Sequence, residues 1–232
     1  FVAGGKEFAD AMQLVLVEAS PALRDVQVER LAIYEPQFAE QASEVPDLPT
    51  IILANEYLDC LPARQFRRDG EEWHECVVGL DADGALAFGL AADGRAAPEG
   101  AAQSAACVEV QTGLDILVAE LATRAAKGAP VHALFIDYGP ADAAPGDSLR
   151  AFKDGAQVSP LHAPGETDLT VDVDFGRLKR LAESAGLDVT GPVPQGMFLL
   201  GLGAQARLNQ LVKANEADGE VIFNAAQRLI DP

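Results

Sequence analysis

Short apolar runs that stop abruptly at polar residues punctuate this chain, and the stretches between them carry helical spacing. Leu14-Val15-Leu16-Val17 ends at Glu18 and is followed by Ser20-Pro21. An apolar run of that kind reads as a buried parallel strand, and Ser20 before Pro21 supplies an N-cap with proline at the first helical position. Leu23, Val26, Val28 and Leu31 then give a helix its apolar positions through about Ala32. Ile51-Ile52-Leu53-Ala54 ends in Asn55-Glu56, and Val131 to Ile136 ends in Asp137-Tyr138-Gly139. Each of these predicted strands carries polar chemistry at its carboxyl end.

Between the second and third strands, Ala63 to Arg68, Glu72 to Leu80 and Ala85 to Leu90 are separated by Asp69-Gly70 and Asp83-Gly84. These dipeptides favour tight hairpins, so residues 63–106 read as an antiparallel β insertion that ends in an Ala/Gly/Pro-rich loop over Ala91 to Ala106. Val108 to Lys127 shows helical spacing through Val110, Leu114, Leu117, Val118 and Leu121, ended by Gly128 and Pro130. Downstream the pattern predicts a short amphipathic helix over Phe175 to Ala185, a strand over Leu187 to Thr190, and one or two helices from Ala204 to Ile230 broken near Asn215. Strands alternating with helices define an α/β sheet. One domain over residues 1–232 is the expectation.

The 232 residues, 49% hydrophobic and 23% charged, suffice for one large core. No window approaches the roughly 18 uncharged apolar residues of a membrane-spanning helix. With 36 acidic against 17 basic side chains the formal charge is -19, which repels a phosphate backbone and argues against nucleic acid as a partner. The same field attracts a basic substrate such as an arginine-bearing protein segment. Cys60, Cys76 and Cys107 form no C-x-x-C pair and leave one unmatched, which fits a reducing compartment, cytoplasm or mitochondrial matrix. His74, His132 and His162 lack zinc-site spacing, so no metal is expected.

Ligands of open α/β sheets bind beyond the carboxyl ends of the strands, which makes Glu18 the first suspect. A carboxylate there accepts hydrogen bonds from both hydroxyls of a ribose, and the alternative is a helix-capping glutamate. Asn55-Glu56 poses the same choice between function and an N-cap. Ala54-Asn55-Glu56-Tyr57-Leu58-Asp59-Cys60-Leu61-Pro62-Ala63-Arg64-Gln65-Phe66 resembles the motif A-N-E-F-[FL]-D-A-L-P-[VA]-x-x-F of the MidA-type methyltransferases. Further segments resemble the same family in the same order: Val17 to Arg24 (VEASPALR), Asp137-Tyr138-Gly139, Gly146 to Phe152 (GDSLRAF), and His162-Ala163-Pro164-Gly165 running into Asp168 to Phe175 (DLTVDVDF). Matches in one order over nearly the whole chain are far more specific than one short motif.

The resemblance implies a Rossmann-like class I fold, with helices on both faces of its sheet, that uses S-adenosyl-L-methionine. In the family's mitochondrial members it implies methylation of an arginine of a respiratory complex I (NADH dehydrogenase) subunit during assembly. By that similarity Glu18, with the adjoining Ala19 and with Asn55, holds the cofactor, while Glu56, Asn55 and Asp59 line the reaction centre. Glu56, aided by Asp59, would grip a guanidinium bidentately. Asp137, Tyr138, His162, Asp168 and Asp172 fall in loops that the resemblance places over the active-site end of the sheet, as substrate contacts. Local roles stand beside these readings, with Thr170 and Asp172 as caps of the helix near Phe175, and for Thr170 the capping role is preferred.

The resemblance also leaves gaps. Ala3-Gly4-Gly5-Lys6 looks like the linker after the family's first helix, so the first strand and its glycine-rich loop are expected before this chain and the last strand after it. Gly201-Leu202-Gly203-Ala204-Gln205-Ala206 fits a dinucleotide fingerprint, yet no return strand follows. The rival functional class is a non-catalytic assembly factor or chaperone that holds a complex I subunit. A small-molecule methyltransferase rests on fold analogy alone.

Overall fold

The structure is a computed structural model and describes residues 5–102, 104–141 and 146–230. Ala3-Gly4 of the expected linker lies outside them. The chain divides into two compact units, Phe1–Ile52 with Ala119–Ala133, and Leu53–Val118 with Leu134–Pro232.

In the first unit, α1 (Gly5–Ala11) precedes β1 (Val15–Val17), α2 (Pro21–Leu31) and β2 (Gln37–Ala39). β1 pairs in parallel with β2, Leu16 opposite Phe38. The turn into α2 is as the sequence predicts: Ser20 accepts the Leu23 N–H and Pro21 opens the helix, satisfying an end donor without losing one. Arg124, only 3% exposed, donates to the carbonyls of Pro46, Ala42 and Val45 and pairs with Glu120. Its delocalised fork thereby satisfies a tight turn that has no ladder of its own.

β3 (Thr50–Asn55) follows, and then the insertion, β4 (Arg64–Asp69), β5 (Glu72–Leu80), β6 (Leu86–Leu90) and β7 (Cys107–Val110), in spatial order β6-β5-β4-β7. All its pairings are antiparallel. Phe66, Trp73 and Val108 form its buried cluster, with Ala101 and Ala105 packed against them. β7 corrects the expected helix from Val108: residues 107–110 pair with Arg64–Arg67 instead, and α3 (Gly113–Ala126) starts only at Gly113. A β-branched run beside an open strand edge overrides an ambiguous helical period.

β8 (Val131–Ile136) pairs with β3. The Thr50 N–H reaches Pro130 O at 2.8 Å and the Glu56 N–H reaches Ile136 O at 2.9 Å, the same offset at both ends, as in a parallel pair. A three-stranded antiparallel sheet, unforeseen in the sequence, joins β9 (Arg150–Lys153), β10 (Ala156–Val158) and β11 (Asp168–Thr170) in order β10-β9-β11.

α4 (Phe175–Ser184), α5 (Gln195–Gly201), α6 (Ala204–Ala214) and α7 (Gly219–Ile230) complete the second unit. The break between α6 and α7 falls at Asn215, as expected. The expected strand at Leu187–Thr190 is absent, and Phe198-Leu199-Leu200 lies in α5, so the G-x-G-x-x-A pattern joins two helices rather than a strand and a helix. α4 is capped by Asp174, whose side chain accepts the Arg177 N–H at 2.7 Å, and not by Thr170 or Asp172. Among the described residues no helix is long and apolar enough to cross a membrane.

Candidate active site

Glu18 ends β1, its N–H bound to Ala39 O at 3.0 Å. One carboxylate oxygen accepts the Ser20 N–H at 2.8 Å, the other accepts from Gln27 Nε2 at 3.3 Å, and Arg24 Nε donates to the Glu18 carbonyl at 2.6 Å. These bonds fix the carboxylate yet use one donor per oxygen, leaving lone pairs for further donors. Ala19 is exposed beside it.

In the second unit, the ends of β3 and β8 carry a different constellation. Glu56 adopts a left-handed backbone, φ 48°, which disfavours any residue with a Cβ. The exposed side chains of Asn55 and Glu56 make no hydrogen bond or ion pair with a described residue. A strained non-glycine residue with an idle carboxylate is an arrangement that folding alone does not require.

Beneath it the chain is tightly held. Asp137 Oδ2 accepts the N–H groups of Leu58 at 2.8 Å and Asp59 at 3.2 Å, and Oδ1 accepts that of Tyr138 at 2.9 Å. Burial nevertheless pushes the Asp137 carboxyl above the ordinary carboxylate range, outweighing those donors. Tyr138 donates its hydroxyl to Asp59 Oδ2 at 2.6 Å and also meets Thr170 Oγ1, which itself donates to the same Asp59 oxygen at 2.7 Å. Burial first, and the Asp59 bond second, raise the Tyr138 phenol to about 12. Two donors thus converge on one oxygen of Asp59 and leave Oδ1 open. Gly139 lets this loop lie flat: a Cβ there would stand 2.1 Å from Val173 O, where Val173 N–H bonds Tyr138 O.

Asp172 joins from the side, paired with Arg150, whose guanidinium lies 5.9 Å from the centroid of the Tyr138 ring. Asp168, exposed on β11, stands near enough to Cys60 to help Asp59 and Asp137 push that thiol up, after burial. His162 is exposed, and among the described residues its backbone alone is engaged, N–H to Ser159 O and carbonyl to Thr167. The structure therefore gathers Asp59, Asp137 and Tyr138, with Asp172 through Arg150, and leaves the His162 ring outside that network.

Sequence reasoning missed the residues that brace this site. Thr170 bridges Asp59 and Tyr138 rather than capping a helix. Gln111, 1% exposed, donates to Leu58 O at 2.9 Å and accepts Asp174 N–H at 3.1 Å. Glu109, 3% exposed, accepts the N–H groups of Ser148 and Leu149 at 3.1 Å together with the Ser148 hydroxyl, and burial pushes its carboxyl up. Reading Val108 onward as helix concealed the latter two, since strand alternation would have shown that Glu109 and Gln111 share one face. Among the described residues no group of three or more His, Cys, Asp or Glu could hold a metal ion.

The fold that presents these residues is shared with known proteins. A crystal structure of an uncharacterized Burkholderia thailandensis protein superposes with TM-score 0.77 at 23% identity, covering 94% of this chain and 62% of that one. A second from the same organism, described as bound to S-adenosyl-homocysteine, gives TM-score 0.75 at 22% identity, covering 94% and 60%. These likenesses show an α/β fold shared with both proteins. Residues 2–193 match the family described as "Putative S-adenosyl-L-methionine-dependent methyltransferase", and the chain belongs to that family. Among curated relatives, a zebrafish (Danio rerio) protein named protein arginine methyltransferase NDUFAF7, mitochondrial, is 32% identical over 94% of this chain and 57% of its own length. The Caenorhabditis elegans homologue is 31% identical over 85% and 52%, and the human protein 35% identical over 75% and 40%. The chain spans about half the length of the curated relatives it matches.

Proposed function

We propose that the protein containing this chain is a protein arginine N-methyltransferase that acts on a subunit of respiratory complex I, in the cytoplasm of a bacterium or the mitochondrial matrix of a eukaryote. The observation that carries the reading is Glu56, a strained residue whose carboxylate meets no described partner, three residues before Asp59 in the same loop. The names of the curated relatives support arginine as the acceptor.

Glu18 fits a ribose clamp, because its carboxylate is already oriented by Ser20 and Gln27 and retains acceptor capacity. Bound S-adenosylmethionine supplies an electrophilic methyl group. Glu56 accepts two N–H bonds of the guanidinium and draws its positive charge toward that edge, which leaves the remaining nitrogen the better nucleophile. Asp59 Oδ1 and the exposed Asp168 of β11 add negative potential that draws in a cationic side chain, while Asp172 is held by Arg150. Tyr138, anchored by Asp59 and Thr170, already carries the Arg150 guanidinium 5.9 Å from its ring centroid, the kind of contact its opposite face offers an incoming guanidinium. Asn55 orients the incoming group from the strand end, and His162 lies in the loop that approaches the acceptor. The work is mainly alignment, with the nucleophile held about 3 Å from the methyl carbon.

The test is mass spectrometry of a purified complex I subunit incubated with the full-length protein and S-adenosylmethionine. A gain of one or two methyl groups on arginine supports the reading, and an unmodified acceptor together with undiminished binding of that subunit marks a holding factor instead.

A further inference from the structure

The insertion has two unlike faces. Phe66, Trp73 and Val108 bury one of them. On the other, the pairs Cys76/Leu90, Val78/Phe88 and Leu80/Leu86 stand directly opposite each other along β5 and β6. Val78 is 52% exposed, Phe88 50% and Leu80 70%, so this ribbon carries an apolar stripe that no described residue covers. The stripe runs into an open groove of about 410 Å³ walled by Phe88, Leu90, Leu149 and Pro160 and floored by the ion pair Arg67–Asp147.

The segment from Asp147 to Arg150 joins the groove to the candidate active site. Asp147 and Leu149 face the groove, while Ser148 Oγ accepts the Asp172 N–H at 2.8 Å and Arg150 pairs with the Asp172 carboxylate beside Tyr138. One short strand entry thus serves the groove with alternate residues and the site with the others.

Charge selects the occupant. The nearby Arg67 is already paired to Asp147, and Arg64 and Arg95 to Glu75, whereas Asp81 and Asp83 at the far turn are exposed and meet no basic side chain among the described residues. A second copy of a chain with formal charge -19 would be repelled. We propose that the β5–β6 ribbon and its groove dock an extended segment of the methyl-accepting protein in which apolar residues alternate with arginine or lysine. The segment lies across the stripe with its apolar face on Val78 and Phe88, and its long basic side chains reach sideways to Asp81 and Asp83 at the turn. The identity of this partner as the methyl acceptor rests on the proposed function, whereas the docking surface itself does not.

The experiment is fluorescence anisotropy of the full-length protein with two labelled synthetic peptides, one alternating valine with arginine and one alternating valine with glutamate. The expected result is saturable binding of the arginine peptide that weakens with salt, no binding of the glutamate peptide, and at least a tenfold loss of affinity in V78D/F88D. Both positions are half-exposed, so the double variant should fold, and retained S-adenosylhomocysteine binding checks that it has; F88S is the milder second variant. Equal binding of both peptides, or unchanged affinity in a folded variant, overturns the proposal, as does a dimer in analytical ultracentrifugation that V78D/F88D dissolves. A protein that binds the arginine peptide but never methylates sinks the methyltransferase reading alone, and one that methylates without binding it sinks the docking surface alone.

Discussion

Replacing Glu56 by glycine and by glutamine should separate what the fold needs from what the chemistry needs. A left-handed backbone costs a residue with a Cβ about 1–2 kcal/mol, and Glu56 sits at φ 48°. Glycine removes that cost but frees the unfolded chain by about 0.4–1 kcal/mol. Because the Glu56 side chain bonds nothing in the described structure, E56G should leave stability unchanged or raise it by up to about 1.5 kcal/mol. Glutamine keeps the strain and should leave stability within about 0.5 kcal/mol of the parent. Activity should move the other way. Two charge-assisted bonds to a guanidinium are worth about 1.5–3 kcal/mol each, and the lower end applies to an exposed side chain. E56G therefore loses about 3 kcal/mol of transition-state binding, on the order of a hundredfold in kcat/KM, and E56Q, which keeps one acceptor but no charge, falls by about tenfold or more. Urea unfolding followed by circular dichroism and a radiolabelled methyl-transfer assay read the two quantities on the same samples. A glycine variant destabilised by more than about 1 kcal/mol would show that Glu56 is held by the fold. Variants that methylate at the parent rate would remove Glu56 from the chemistry.

Other expectations follow from the bracing network. Y138F should cost about 1 kcal/mol in urea unfolding, since Asp59 and Thr170 lose their shared phenol. The Tyr138 phenol is raised to about 12 from an ordinary 10, so its contribution to stability is complete below pH 10 and lost as pH rises toward 12. That alkaline loss, in pH-dependent unfolding, should be smaller in Y138F than in the parent. Q111A should destabilise by about 2–4 kcal/mol, because the buried Leu58 carbonyl and Asp174 N–H both lose their partner; a loss under 1 kcal/mol in the same urea assay would contradict this. E18Q should weaken S-adenosylhomocysteine binding of the full-length protein by about ten- to a hundredfold, and an unchanged Kd would limit Glu18 to its bonds with Ser20 and Gln27.

The elements legible in the sequence were those whose signals were local. Ser20-Pro21 specifies a helix start by capping chemistry, Asp69-Gly70 and Asp83-Gly84 specify turns by backbone freedom, and the apolar runs at Val15, Ile51 and Val131 specify strands, although not the buried ones expected, since Ile51 is 64% and Leu53 76% exposed. The position of the candidate site residues was legible for the same reason, since Asn55, Glu56, Asp137 and Tyr138 sit where strands end. What escaped depended on contacts distant in sequence. β7 exists because β4 offers an edge to Cys107–Val110, and β9 to β11 pair across intervening loops. Thr170 gained its role from Asp59, remote along the chain, where a short-range capping rule suggested another. The resemblance supplied what the pattern could not, namely the cofactor and the acceptor that the proposed function names.

The central claim is that this chain belongs to an enzyme that binds S-adenosylmethionine, and isothermal calorimetry of S-adenosylhomocysteine into the full-length protein tests it most directly. The account predicts one-site binding with a Kd of about 1–100 μM, weakened in E18Q and retained in E56Q. A flat titration with folded protein would contradict it.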